Sequence, residues 1–143
     1  MRRSLVLVIA LLALVLAACS GGAGDSSGEV RSVAASMTDD MAYDPTKFDY
    51  FAGETVRFEV TNEGAVRHEF FVGDVAAHEE HAAEMAEIGE SGMGHGEANG
   101  VSVEPGQTET LEMTFADAGA LLAGCHEPGH YEAGMVADIT IHP

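Results

Sequence analysis

Residues 124–135, close to the C-terminus, read GCHEPGHYEAGM. The stretch brings a thiol, two imidazoles and a thioether together, with Cys125, His130 and Met135 spaced as Cys-x4-His-x4-Met. A cysteine hydrolase would need the thiol, a histidine base and an oxyanion site, and a thioether has no role in acyl transfer. The pattern therefore favours a metal site over a nucleophile.

The ligand types decide between metals. Zinc binds four ligands and has no preference for a thioether, although Cys125, His130 and His68 would supply three zinc ligands. A thiolate and two imidazoles with a weak axial methionine form the ligand set of a type 1 blue copper site. The stretch supplies one imidazole of that set through His130. His68, two residues before the apolar run FFV at 70–72, is the candidate for the second imidazole.

The N-terminus contains the other cysteine. Positive residues at 1–3 precede an unbroken apolar run at 5–16, the pattern of a signal peptide. The following Leu16-Ala-Ala-Cys19 resembles a bacterial lipobox, which implies a signal peptide at 1–18 and lipid attachment to the Cys19 thiol. Ordinary signal cleavage with a free thiol is the alternative. We expect an exported protein, lipid-anchored to the outer face of a membrane in the periplasm or at the cell surface.

Lipidation of Cys19 would leave Cys125 without a disulfide partner. A solitary thiol in an export compartment tends to oxidise, so a ligand role explains its presence better than a structural role. Residues 19–29 are rich in glycine and serine, which predicts a flexible tether to a domain at 30–143.

Charge limits the class of partner. The 143 residues contain 24 Asp and Glu against 6 Lys and Arg, a formal charge of −18. Such a surface repels nucleic acid, so that class of partner is excluded. The charge is typical of a soluble surface, and docking to a basic redox partner is the alternative.

The domain itself has an all-β pattern. In the best example, Val56, Phe58 and Val60 alternate with polar residues, which predicts a half-buried strand. Such runs, separated by turn residues, predict a β-sandwich or barrel. The predicted strands lie at 30–38, 48–51, 55–61, 69–72, 101–103, 108–115, 120–125 and 135–141. Residues 74–100 interrupt the pattern as an insertion, with a helix predicted at 74–88 and a glycine-rich part at 89–100.

A distant histidine before a strand, followed by Cys-x4-His-x4-Met, resembles the cupredoxins, the small blue copper proteins. The four-and-four spacing is similar to rusticyanin-like and auracyanin-like members, and the stretch GETVRF at 53–58 and the turn with Asn62 also resemble the family. The resemblance implies an eight-stranded Greek-key β-sandwich with one copper ion bound by His68, Cys125, His130 and Met135. It also implies that electrons pass through the ring edge of His130. Many members have Asn after the first histidine to tie the ligand loops together, whereas this chain has Glu69.

His126 raises a further alternative. Imidazoles flank the copper cysteine in multicopper oxidases, but Gly124 occupies the other flanking position and the chain has no His-x-His pair. We therefore interpret His126 as an ordinary residue of the ligand loop. We expect a protein that is not itself an enzyme.

The insertion contains additional copper-type ligands. On a helix, His78, His81 and Met85 would share one face, and Met93 and His95 follow. They predict an accessory metal site; the alternative is a solvated acidic helix whose histidines have no metal role.

We expect the protein to be a monomer, and the sequence is compatible with two functions. The first, which the complete blue copper ligand set favours and which we expect, is a membrane-tethered electron carrier between redox partner proteins. The second is a copper-handling protein that delivers or sequesters copper together with copper-trafficking proteins.

Overall fold

A computed structural model describes residues 29–88 and 98–143. The predicted signal peptide, Cys19 and nearly all of the tether lie outside the described residues, as do Met93 and His95. Among the described residues, no helix has the length and apolar character needed to span a membrane.

The described residues form two β-sheets that enclose one core, which confirms the predicted β-sandwich. The strands are β1 (Val30–Thr38), β2 (Ala42–Asp44), β3 (Lys47–Phe51), β4 (Thr55–Asn62), β5 (His68–Gly73), β6 (Gly100–Val103), β7 (Thr108–Thr114), β8 (Gly119–Gly124) and β9 (Val136–His142). The first sheet has the order β2-β1-β4-β7 and the second β3-β9-β8-β5-β6. Strands β1 and β4 pair in parallel, as do β3 and β9, and the other neighbours are antiparallel.

The core follows from the alternation along the strands. Val56, Phe58 and Val60 of β4 are fully buried, whereas Arg57 and Glu59 face solvent. The ring of Phe58 lies at the centre of an aromatic cluster, with ring centroids 5.1–6.5 Å from those of Phe48, Tyr50, Phe70 and Phe115. Because this cluster joins both sheets, it fixes the frame on which the ligand-bearing ends of β5 and β8 are held.

Strand β2 was not predicted. It lies among the turn residues between the predicted strands at 30–38 and 48–51, where Met41 has a positive φ of 57° that turns the chain back onto β1. Met37 then pairs with Tyr43 in an antiparallel register. The described residues therefore contain nine strands, one more than the eight predicted from the sequence. The sequence pattern did not reveal β2 because a three-residue strand has too few positions to show alternation.

The insertion begins with the expected helix, α1 (Val75–Ile88). The Asp74 carboxylate caps it by accepting a hydrogen bond from the Ala77 amide, at 2.9 Å. The helix packs on β5 and β8. At Gly124 a Cβ atom would lie 2.7 Å from the Tyr131 ring and 2.8 Å from the His78 ring, so only glycine permits this approach. The helix is thus held against the back of the segment that carries Cys125.

We expect Phe58→Ala to reduce the free energy of unfolding by about 3–5 kcal/mol, because it removes the central ring of a close-packed core. The measurement is chemical denaturation of the metal-free protein. Phe51→Ala is the matched control, since Phe51 is 56% exposed, and its loss should be below about 1 kcal/mol. Equal losses in the two variants would contradict this account of the core.

Candidate metal centre

Three of the four predicted ligands converge at one end of the sandwich. The Nδ1 atom of His68 lies 3.2 Å from Nδ1 of His130, and the Cys125 sulfur lies 3.4 Å from the same His130 nitrogen. The three ligand atoms all lie within 4.8 Å of one another. Within the described ranges, these residues are the only group of three or more His, Cys, Asp or Glu side chains arranged this closely.

The ligand loop between β8 and β9 is held by its own backbone. The Cys125 amide donates to the Met135 carbonyl at 3.2 Å, and the Met135 amide donates to the His130 carbonyl at 3.0 Å. Gly129 and Gly134 have positive φ angles of 83° and 97°, which glycine adopts without strain. The fully buried Met135 is therefore fixed beside the other two loop residues, and its role as a copper ligand stays a prediction.

Asp39 orients the first histidine. Its Oδ1 atom lies 3.2 Å from Nε2 of His68, so a neutral His68 donates from Nε2 and directs the Nδ1 lone pair toward His130 and Cys125. The amide of Ala65 donates to the same carboxylate and lowers the pKa of Asp39 below its ordinary value, with a smaller contribution from His68. Nothing in the sequence indicated this role, because Asp39 belongs to a turn far from His68 along the chain.

Glu69 makes the loop tie that the sequence left open. Its amide donates to the Cys125 sulfur at 3.3 Å, and its Oε2 atom accepts a hydrogen bond from the His126 amide at 3.1 Å. A carboxylate thus connects the segment carrying His68 to the segment carrying Cys125. The departure from Asn at this position keeps a connection between the loops.

A second connection lies closer to the surface. The guanidinium of Arg67 pairs with the carboxylate of Glu127 through two contacts, at 2.5 and 3.2 Å. The hydrogen bond from Arg67 to Glu127 holds the pKa of the guanidinium above its ordinary value. Arg67 directly precedes His68 and Glu127 lies two residues after Cys125, so the ion pair joins the same two segments as Glu69.

Burial controls the protonation of the ligands. Desolvation raises the pKa of the Cys125 thiol to about 12, although hydrogen bonds from the backbone at Glu69 and Glu127 act in the opposite direction. Desolvation also lowers the pKa of His130, with a further contribution from the nearby His68. Without metal, the site at neutral pH therefore contains a protonated thiol and a neutral His130, and a cation must displace the thiol proton.

The site fits a copper ion by the chemistry of its donors. Two imidazole nitrogens and one sulfur lie within 4.8 Å of one another, and the side chains of His68 and Cys125 are fully buried. A His68 ring that donates from Nε2 to Asp39 would have its Nδ1 lone pair available to the metal, whereas the Cys125 thiol would have to lose its proton. Copper bound there would supply one-electron redox chemistry, while the chain fixes the ligand positions.

His126 lies outside this donor group. It is 8% exposed, stacks on Tyr131 with centroids 4.6 Å apart, and its Nε2 atom lies 2.8 Å from Nδ1 of His78. Desolvation lowers the pKa of His126 to about 4. Its ring is therefore neutral near pH 7 and packs between the ligand loop and α1.

The predicted accessory residues are divided between two settings. His78 and His81 lie on the buried face of α1, where His78 is near the Leu122 carbonyl and His81 is near Glu69. Met85 lines a cavity of about 220 Å³ between α1 and the ligand loop. His78 and His81 belong to no second group of three close His, Cys, Asp or Glu donors in the part of the chain that the structure describes, and the accessory site stays a prediction.

We expect Asp39→Asn to weaken Cu(II) binding by about tenfold and to raise the reduction potential. The variant removes a negative charge that favours the more highly charged Cu(II) through His68. Competition titration and redox titration of the loaded protein measure the two effects. Asp40→Asn is the control, since it removes the same charge from the neighbouring exposed residue. Equal shifts in both variants would show that only net charge matters.

We expect copper affinity to increase about tenfold per pH unit between pH 7 and 9. The sign follows from the raised pKa of Cys125: the thiol stays protonated across this range, so each binding event releases its proton. Competition titrations with a chelator of known pH dependence measure the slope. Cys125→Ala should lose it, and a flat profile in the wild type would exclude thiolate ligation.

Comparison with known proteins agrees with this site. The family model "Copper binding proteins, plastocyanin/azurin family" matches residues 30–142. The copper-resistant cuproprotein CopI of Pseudomonas aeruginosa is 40% identical over 131 residues, covering 73% of this chain and 72% of that protein. Auracyanin-A of Chloroflexus aurantiacus is 32% identical over 152 residues, covering 92% of this chain and 91% of that protein.

A solved structure shows the same fold. Reduced auracyanin from Roseiflexus castenholzii superimposes with a TM-score of 0.70 at 22% identity, over 81% of this chain and all of that chain. The match of the family model spans both sheets, α1 and the complete ligand loop. The chain is a copper-binding cupredoxin of the plastocyanin/azurin family.

Proposed function

We propose that this cupredoxin is an extracytoplasmic copper-tolerance protein that holds one copper ion through His68, Cys125, His130 and Met135. The observation that carries the proposal is the convergence of the His68, Cys125 and His130 ligand atoms within 4.8 Å. Sites organised before metal arrives bind tightly, because little ordering entropy is lost on binding. The chain would bind and retain copper without transforming a substrate.

The role in tolerance is supported by a relative. A protein named as a copper-resistant cuproprotein is 40% identical to this chain and aligns over 72% of its own length. A buried thiolate and thioether are soft ligands that favour Cu(I), whereas two imidazoles also accept Cu(II). A site with both types of ligand would hold copper in either oxidation state, as protection outside the cytoplasm requires.

Electron transfer is the second candidate, and the exposure of His130 favours it. His130 is only partly buried, and it lines an open surface depression beside Val66 and Pro128. Val66 is 46% exposed, so the surface next to the His130 ring is partly apolar. A redox partner docking here would approach the ligand shell directly. The partners would accordingly be copper-trafficking proteins in the first case and redox proteins in the second.

The proposed location depends on the N-terminal segment. Lipid on Cys19 would anchor the protein to the outer face of a membrane, and the tether at 20–29 would let the domain move above it. At about 3.3–3.6 Å per extended residue, such a tether spans at most roughly 35 Å. The domain would therefore meet partners close to the membrane surface.

Complementation of a deletion strain tests the proposal. We expect loss of the gene to increase sensitivity to external copper, the wild type to restore tolerance, and Cys125→Ser to fail because it removes the thiolate ligand. Cys19→Ser should keep copper binding by the purified protein but release the protein from membranes.

The same strains separate the two candidates. Full copper tolerance in the deletion strain, together with impaired respiration at low copper, would reject the tolerance role and favour the electron carrier. Equal rescue by wild type and Cys125→Ser would reject a copper-dependent role of either kind.

A further inference from the structure

Glu69 is bonded to three separate parts of the molecule. Its amide donates to the Cys125 sulfur and its carbonyl accepts a hydrogen bond from the Tyr43 hydroxyl, at 3.3 and 2.6 Å. Its two carboxylate oxygens point to different partners: Oε2 faces the His126 amide, and Oε1 lies 2.8 Å from Nε2 of His81 on α1. Glu69 is 3% exposed, so all these contacts are shielded from water.

We propose that Glu69 and His81 are positioning residues through which the inserted helix α1 holds the Cys125 sulfur in its copper-binding place. The inference rests on the proposed copper binding at Cys125 and deepens it, because it assigns the helix a role in setting the properties of that site. Neither residue is one of the proposed copper ligands. Glu69 acts through its own amide and through the His126 amide, and His81 acts through the Glu69 carboxylate.

The carboxylate links the helix to the ligand loop. Its Oε2 atom fixes the amide of His126, the residue that follows Cys125, while the Glu69 amide itself contacts the sulfur. Hydrogen bonds to a carboxylate are charge-assisted and roughly twice as strong as neutral ones, and burial strengthens them further. Loss of the contact at Oε1 would therefore disturb the Glu69 side chain, whose Oε2 atom holds the His126 amide next to the Cys125 sulfur.

The helix docks on the sheet largely through imidazoles. The ring of His81 stacks on Phe71 with centroids 4.1 Å apart and an interplanar angle of 9°. His78 lies between the Leu122 carbonyl, at 3.1 Å, and the His126 ring. Both histidines are buried, whereas Val75 at the start of the helix is 64% exposed. The buried face of α1 is thus built to reach polar groups behind the ligand loop.

Separating the helix from the sheet would leave the Glu69 carboxylate with the His126 amide alone. A buried carboxylate that loses a donor is costly, so Glu69 would turn toward water and release the His126 amide. The ligand loop would then lose one of the two hydrogen bonds by which Glu69 connects the loop to β5. Docking of α1 and the geometry of the sulfur are therefore linked.

The test compares His81→Phe and Glu69→Ala with the wild type in the full mature chain. Phenylalanine keeps a ring that can stack on Phe71 but removes the donor to Glu69. We expect each variant to lose about 10–100-fold in copper affinity and to shift the thiolate-to-copper absorption band. Glu80→Gln, an exposed change on the same helix, should alter neither quantity.

Glu69→Gln provides the rescue. Its amide oxygen can accept from the His126 amide, and its NH2 group can donate to His81 in the other tautomer. We expect this variant to keep the wild-type band position and to bind copper within a fewfold of the wild type. A role confined to stability would lower the melting temperature of the metal-free variants but leave the band and the affinity unchanged, and that result would overturn the inference.

Two controls keep the outcomes distinct. If the wild type shows no thiolate-to-copper band, the proposed copper site is contradicted. If the wild type shows the band and folded His81→Phe shows it unchanged, only the proposed role of the helix is contradicted. If His81→Phe does not fold, the pair Glu69→Ala and Glu69→Gln decides. Hydrogen exchange of the wild type adds a check without mutation: the His126 amide should exchange slowly, and rapid exchange would contradict its bond to Glu69.

Discussion

The position of the Cys125 sulfur is the constraint on which the rest of the site depends. The sulfur belongs to the loop that follows β8, whereas His68 begins β5, so the two segments must be held in fixed register. The pairing of Phe71 with Gly124 supplies that register within the second sheet. The Glu69 amide then contacts the sulfur directly. A metal site with strong ligands on two segments requires such a frame, because movement of either segment would change the ligand geometry.

Three carboxylates stabilise this frame from different sides. Asp39 orients His68, Glu69 joins the ligand loop to β5 and α1, and Glu127 pairs with Arg67 beside them. The net charge of −18 suggested mainly a soluble surface, yet these acidic residues have specific partners next to the ligands. Each partner is a backbone amide, an imidazole or a guanidinium, so each of the three carboxylates accepts a hydrogen bond and is not left unsatisfied against apolar side chains.

Much of the fold was predictable because the alternation of apolar and polar residues along a strand indicates which side chains are buried. The pattern of Val56, Phe58 and Val60 identified a core strand, and the order of His68, Cys125, His130 and Met135 identified the metal. The contacts around the site were not predictable, because they join residues distant in sequence: Asp39 with His68 across 29 positions and His78 with His126 across 48. Helical spacing placed His78 and His81 on one face, but spacing cannot say whether that face meets solvent or a sheet. In the structure it meets β5 and β8, so the two histidines are buried hydrogen-bonding groups and not the solvated groups of the alternative interpretation.

The central claim is that one copper ion is bound by a thiolate and two imidazoles at this end of the sandwich. The visible absorption spectrum of the mature protein loaded with one equivalent of Cu(II) tests it most directly. We expect an intense thiolate-to-copper band that reaches its maximum at one copper per chain and is absent from Cys125→Ser. A wild-type complex without that band, or a band that persists in Cys125→Ser, would contradict it.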